Sequence, residues 1–142
     1  MIRLGYLKSY ELVTYDARPV GESHGHDVLV VEDDINTRQT ISIALERKGL
    51  RIMVAEDGVE ALRLLKMRRF CVLLLDLVLP KADGYAVIAN VKENMPELPV
   101  IVMTSLRPDE LSGLDRSVVK NVLFKPLPME EMSERVSDVC HG

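Results

Sequence analysis

The sequence predicts an α/β domain built on a five-stranded parallel sheet with helices on both faces. Three observations carry this reading. From Asp27 onward, short apolar runs alternate with longer amphipathic segments. The apolar runs are near-continuous rather than alternating, which marks strands covered on both faces. The length of 142 residues, 47% of them apolar and 28% charged, fits one globular domain with a substantial core. Right-handed crossovers between such strands make neighbouring strands parallel.

Each element has its own signal. VLVV (28–31) is the first strand, and a helix over about 36–48 ends at Gly49. RIMVA (51–55) is the second strand. Asp57 caps a helix over about 58–68 that turns Ala61, Leu62 and Leu65 to one side. CVLLLDLVL (71–79) is the most apolar run and stops at Pro80; Asp83-Gly84 opens a third helix with Val87, Ile88 and Val91 inward. LPVIVMT (98–104) is the fourth strand. Pro108, followed by Asp109 and Glu110, suits the first turn of a fourth helix, which Ser112 and Gly113 weaken. NVLF (121–124) is a short fifth strand. Pro128 opens a last helix whose Met129, Met132, Val136 and Val139 form one stripe.

Composition excludes several functions. The net charge of −4 and the lack of a basic stripe argue against direct nucleic-acid binding. No 18-residue apolar run and no apolar leader core are present, so neither a membrane span nor a secretory signal is expected, and the location expected is cytoplasmic. Cys71 and Cys140 match no zinc or redox spacing, and Cys71 is expected to be buried and reduced. His24, His26 and His141 lie near the chain ends, which leaves no histidine for a catalytic triad or a His-ligated metal within the domain. Residues 1–26 carry Tyr6, Tyr10 and Tyr15 and finish in a turn-rich run. They are expected to be an N-terminal extension or linker, or else an arm docked through its rings, with the domain itself spanning 27–142.

In open parallel sheets, sites form at the carboxyl ends of the strands. Glu32, Asp33 and Asp34 follow the first strand, Asp76 stands inside the apolar run of the third, Thr104 ends the fourth, and Lys125-Pro126 follows the fifth. Each has a bland reading: a helix cap for Asp33 or Asp34, a packed β-branched residue for Thr104, a surface lysine for Lys125. Asp76 resists one, because a buried unpaired carboxylate costs roughly several kcal/mol. Together, these residues put carboxylates, a hydroxyl and a cation at one sheet edge. Glu32, Asp33 and Asp76 would repel one another unless a cation sat among them, and a hard divalent ion such as Mg²⁺ suits oxygen ligands. Asp76 is then placed to attack a phosphoryl group, Lys125 to pair with its charge, and Thr104 to hydrogen-bond one of its oxygens.

The motifs VLVVEDD, AEDGVEAL, LLLDLVLPKADG, PVIVMTS and FKPL, in this order over residues 27–140, resemble the receiver domain of two-component response regulators. The resemblance implies a flavodoxin-like strand order 2-1-3-4-5 and a cis Lys125-Pro126 peptide. It implies Asp76 as the phospho-acceptor, with Thr104 as the switch hydroxyl and Lys125 as the companion lysine. Mg²⁺ would be held by Asp33 directly, by Glu32 through water, by Asp76 and by the Val78 carbonyl, with Asp34 a third, non-ligating acid. It further implies a histidine kinase or phosphotransfer protein as donor, an output protein or domain downstream, a homodimer as one admissible assembly, and a phospho-acceptor rather than an enzyme with a separate substrate. Two departures stand out: Val122 occupies the position where the family usually has Tyr or Phe, and the stretch from Thr104 to Lys125 is about one residue short.

Three other functions compete. An unphosphorylated interaction module of the same shape fits the sequence but leaves the complete site without a role. An aspartyl-phosphate phosphohydrolase wants an acid two residues after the nucleophile, where Val78 stands. An FMN carrier needs a phosphate-binding loop after the first strand, where the acidic Glu32-Asp33-Asp34 would repel the phosphate.

Overall fold

The computed structural model describes residues 27–141, so the expected N-terminal arm or linker lies outside the described residues. Five strands form one parallel sheet in the order β2-β1-β3-β4-β5. They are β1 (Asp27–Val31), β2 (Arg51–Ala55), β3 (Val72–Asp76), β4 (Val100–Thr104) and β5 (Val119–Phe124). The helices are α1 (Ile35–Glu46), α2 (Gly58–Met67), α3 (Gly84–Asn94) and α4 (Met129–His141).

The three central strands are buried at every position, which explains why DVLVV, VLLLD and VIVMT show almost no polar alternation. Their side chains divide between two cores. Leu29, Val31, Leu73 and Leu75 pack with Ala61 and Leu64 of α2 and Val87 and Val91 of α3. Val30, Val72 and Leu74 pack on the other face with Ile41 and Leu45 of α1 and Met132 and Val136 of α4. Each such buried Val or Leu contributes roughly 1.5–3 kcal/mol. Asp27 is the buried acid at the far end of β1, and its carboxylate lies 2.8 Å from Arg51 and 2.6 Å from Arg68.

Aspartates start three helices. Asp34, Asp57 and Asp83 accept from the backbone N–H groups of Thr37, Glu60 and Ala86 at 2.8, 2.8 and 3.0 Å. Each cap satisfies a donor that the first helical turn leaves open, worth about 1 kcal/mol. Gly49, with φ of +82°, turns the chain after α1 as expected.

Two expectations are corrected. No α-helix follows Pro108; a single 3-10 turn forms over Pro108–Glu110. Ser112 and Gly113 are poor helix formers, and Asp115 takes both the N–H and the hydroxyl of Ser117, at 2.8 and 2.6 Å. That local turn competes with helical bonding. Leu111, Leu114 and Val118 bury themselves in the core without a helix to carry them. Lys92 of α3 pins the segment by pairing with Asp115 at 2.8 Å, which holds the Asp115 carboxyl far below its usual range, helped by Ser117. The second correction concerns Cys71, which is half-buried and disulfide-bonded to Cys140. The last turn of α4 lies over the start of β3 and brings the two Cα atoms to 5.0 Å.

Candidate functional site

The sheet places the site residues by register alone. β1, β3 and β4 are neighbours, so the residues at and beyond their carboxyl ends share one edge. Glu32 comes directly after β1, Asp76 closes β3 and Thr104 closes β4. Lys125 follows β5, and its peptide bond to Pro126 is cis, as the resemblance implied.

Lys125 is the centre of the arrangement. Its ammonium donates to Glu32 Oε1 at 2.8 Å and to Asp76 Oδ2 at 2.9 Å. The remaining oxygens are engaged by backbone: Glu32 Oε2 accepts the Asp34 N–H at 3.2 Å, and Asp76 Oδ1 accepts the Val78 N–H at 3.0 Å. Both carboxylates are buried. Burial, with some repulsion from Asp76, pushes the Glu32 carboxyl above its usual range although Lys125 and the Asp34 N–H pull the other way. Burial also works against the Lys125 ammonium, but its bonds to Asp76 and Glu32 outweigh it and hold its pKa above the ordinary value.

Asp33 is exposed, yet one oxygen from each of Glu32, Asp33 and Asp76 falls within 4.8 Å of the others. Three carboxylates against one ammonium leave a formal surplus of two negative charges, the charge a divalent cation neutralises. The donor set is all oxygen, half-open to water, and so suits a hard ion that keeps part of its hydration shell. The Asp34 carboxylate takes no part in this cluster. It caps α1, and its two bonds from Thr37 lower its pKa. The Val78 side chain is exposed and only its backbone faces the site.

Thr104 is fully buried. Its hydroxyl oxygen accepts the Leu106 N–H at 3.0 Å, and its carbonyl accepts the Lys125 N–H at 2.8 Å. One residue therefore ties the end of β4 both to the loop that follows and to the lysine. Sequence reasoning passed over Phe124, the direct register partner of Thr104 and one of the exposed large apolar residues. Its signal was available: Val122 packs on one face of the sheet and Leu123 on the other, so Phe124 returns to the face of Val122. Sequence reasoning read Gly84 only as a helix start; the Gly84 N–H also donates to the Leu77 carbonyl at 3.0 Å and so draws the start of α3 against the end of β3.

Removing the lysine should expose how much it holds together. In Lys125→Met, two buried carboxylates lose their shared cation, and stability should fall by about 3 kcal/mol. Mg²⁺ should restore part of that loss, by acting where the ammonium was. Thermal denaturation of both proteins with and without Mg²⁺ measures this; equal melting temperatures without metal would contradict it.

The family described as the response regulator receiver domain matches residues 28–137. Among curated relatives, the sensor histidine kinase AruS of Pseudomonas aeruginosa is 34% identical over 126 residues, which are 85% of this chain and 13% of that protein. The response regulator MprA of Mycobacterium sp. (strain KMS) is 32% identical over 111 residues, 77% of this chain and 48% of MprA. The chain thus spans about half or less of these relatives. Among solved structures, the receiver domain of Francisella response regulator 1452 superposes with a TM-score of 0.75 at 31% identity, covering 81% of this chain and 96% of that one. With the 2-1-3-4-5 sheet and the acid–lysine edge in the same molecule, the match over 28–137 settles the family: this chain belongs to the receiver domains of two-component response regulators.

Proposed function

We propose that the domain, taken as residues 27–142, accepts a phosphoryl group on Asp76 in a Mg²⁺-dependent transfer and signals through a protein partner. The observation that carries this is the Lys125 ammonium held between Glu32 and Asp76, with Asp33 beside them. Asp33, Asp76 and the Val78 carbonyl would hold the metal, with Glu32 acting through water. Bound there, Mg²⁺ would neutralise the charge on the incoming phosphoryl oxygens. An Asp76 carboxylate oxygen attacks phosphorus as the bond to the donor nitrogen breaks, and the leaving imidazole departs with the bonding pair. Lys125 then pairs with the new phosphoryl charge, and the Thr104 hydroxyl donates to one of its oxygens. The chain's contribution is position and charge, the main demands of phosphoryl transfer.

The donor class is a phosphohistidine on a histidine kinase or phosphotransfer protein, and the domain is a phospho-acceptor that assists its own modification. Among the described residues no helix is long and apolar enough to cross a membrane, and a cytoplasmic site of action fits that chemistry. A homodimer is one form the output could take. Residues 1–26 would serve as an extension or linker.

Asp33→Ala should weaken Mg²⁺ binding by about tenfold or more, since losing a group that merely supports a ligand already costs a metal site that much. The chain has no Trp, so NMR or calorimetry is the suitable titration. Unchanged affinity would count against the assignment.

The readout is expected in the segment after β4. When the Thr104 hydroxyl turns to a phosphoryl oxygen, its bond to the Leu106 N–H is disturbed first. Val122 has no ring to report that movement. Residues 105–120 have a single 3-10 turn and no α-helix to resist it, and a population shift needs a contact that differs between states. Hydrogen exchange with and without beryllofluoride should therefore change in 105–120. Changes elsewhere with this segment unaltered would refute the readout. Beryllofluoride binding that requires both Mg²⁺ and Asp76, followed by NMR, tests the function itself.

A further inference from the structure

We propose that Cys71 and Cys140 form a reversible thiol–disulfide pair, a modification site that fastens the last turn of α4 to the start of β3 when oxidised. These are the two cysteines of the chain. Their Cα separation of 5.0 Å falls within the usual disulfide span of about 4.4–6.8 Å, so the bond closes on the backbone as it stands. Neither residue is sealed in the core; both are half-buried, at the sheet edge opposite Asp76. Both residues thus keep part of their surface in solvent with the domain folded.

The reduced form is provided for as well. Cys71 Sγ lies 3.1 Å from the Asp27 carbonyl oxygen, an acceptor for the free thiol. That carbonyl is fixed independently of the bond: it also takes the Cys71 N–H at 2.8 Å, and the Asp27 carboxylate is held by Arg51 and Arg68. The thiol therefore gains a partner on reduction instead of becoming a buried orphan. If the protein works in a reducing compartment, as the proposed function implies, a disulfide there belongs to the transient or sensing kind.

The element under control is α4. Met132 and Val136 are fully buried and hold its first two turns in either state. Past Val136, the side chains of α4 that pack on the core are Val139 and Cys140, both only partly buried. Oxidation adds a covalent anchor at that weak end; reduction returns residues 137–141 to noncovalent contacts. The carboxylates and Lys125, at the far edge of the sheet, are untouched by the exchange.

The co-reactant is a low-molecular-weight disulfide such as oxidised glutathione. One cysteine thiolate attacks a sulfur of that disulfide, forming a mixed disulfide and expelling one thiolate. The second cysteine thiolate attacks the protein-bound sulfur, closing the Cys71–Cys140 bond and expelling the other. Two electrons pass from the cysteine pair to the reagent, and the two thiol protons end on its two released thiols.

The test uses the full chain equilibrated across ratios of oxidised to reduced glutathione, then quenched with an alkylating reagent and weighed. Alkylation should fall from two groups to none in one transition, with no covalent dimer. Hydrogen exchange of residues 137–141 should slow by at least about tenfold in the oxidised form, with amides around Glu32, Asp76 and Lys125 unaffected. In Cys71→Ser, Cys140 should instead retain one glutathione. Two alkylated cysteines at every ratio would overturn the proposal. So would a disulfide that survives the most reducing ratio, covalent dimers in place of the internal bond, or equal exchange of 137–141 in both forms. Phosphoryl chemistry enters no arm of this experiment, so its outcome is separate from that of the proposed function.

Discussion

Asp76→Asn should abolish phosphoryl uptake while leaving the fold intact. The substitution keeps the shape at the end of β3 and removes the anionic oxygen that would attack phosphorus. Its carbonyl oxygen can still accept one of the two bonds Asp76 receives, from Lys125 at 2.9 Å or from the Val78 N–H at 3.0 Å. Lys125 also keeps Glu32, at 2.8 Å. Loss of one carboxylate relieves repulsion on Glu32, so its pKa should move back toward the ordinary range. A complete loss of modification, with an unchanged far-UV circular dichroism spectrum, is the expected result. Full modification of Asp76→Asn would show that another residue accepts the group.

Large structural effects are also expected at two residues with no chemistry, Gly58 and Gly84. A Cβ on Gly58 would run into the carbonyl oxygen of Ala82. One on Gly84 would lie 2.6 Å from the Leu77 Cα and 2.9 Å from the Asp76 carbonyl oxygen. In both cases the obstacle is backbone, which cannot swing aside as a side chain can. The first turns of α2 and α3 therefore rest directly on the loop between β3 and α3, the loop that carries Val78. Gly58→Ala and Gly84→Ala should each cost about 2–3 kcal/mol through overpacking. At roughly 4 °C per kcal/mol for a domain this size, the melting temperature drops by about 10 °C. Gly113→Ala is the control, since a Cβ there meets nothing within 4 Å. Thermal melts of the three proteins decide it, and equal melting temperatures would refute the packing argument.

Gly84 was legible only as a helix-start signal and Gly58 only as a letter in a motif, because close backbone approach leaves no trace in a pattern of apolar residues. The strands and the acid–lysine edge were legible for the opposite reason. A buried strand must be apolar throughout, so Asp76 stands out inside one apolar run and Thr104 at the end of another, and parallel pairing gathers both at one edge. The segment after β4 misled because Pro108, Asp109 and Glu110 are good helix starters. The Asp115–Ser117 turn overrides that start signal through side-chain hydrogen bonds that have no periodicity. The fifth strand begins at Val119 rather than Asn121, because exposed Lys120 follows buried Val119 and breaks the apolar run. The disulfide was invisible for a different reason: 69 residues of separation say nothing about where the end of α4 lies.

The central claim is that the edge formed by Glu32, Asp33, Asp76 and Lys125 makes Asp76 a metal-dependent phosphoryl acceptor. Its most direct test is the intact mass of the full chain after incubation with phosphoramidate, whose phosphorus–nitrogen bond mimics that of phosphohistidine. The experiment is run with Mg²⁺ and with the metal chelated, and the adduct is mapped by peptide mass. The account predicts one phosphoryl group, on the peptide containing Asp76, appearing only with Mg²⁺. No adduct, an adduct on another residue, or equal modification without the metal would contradict it.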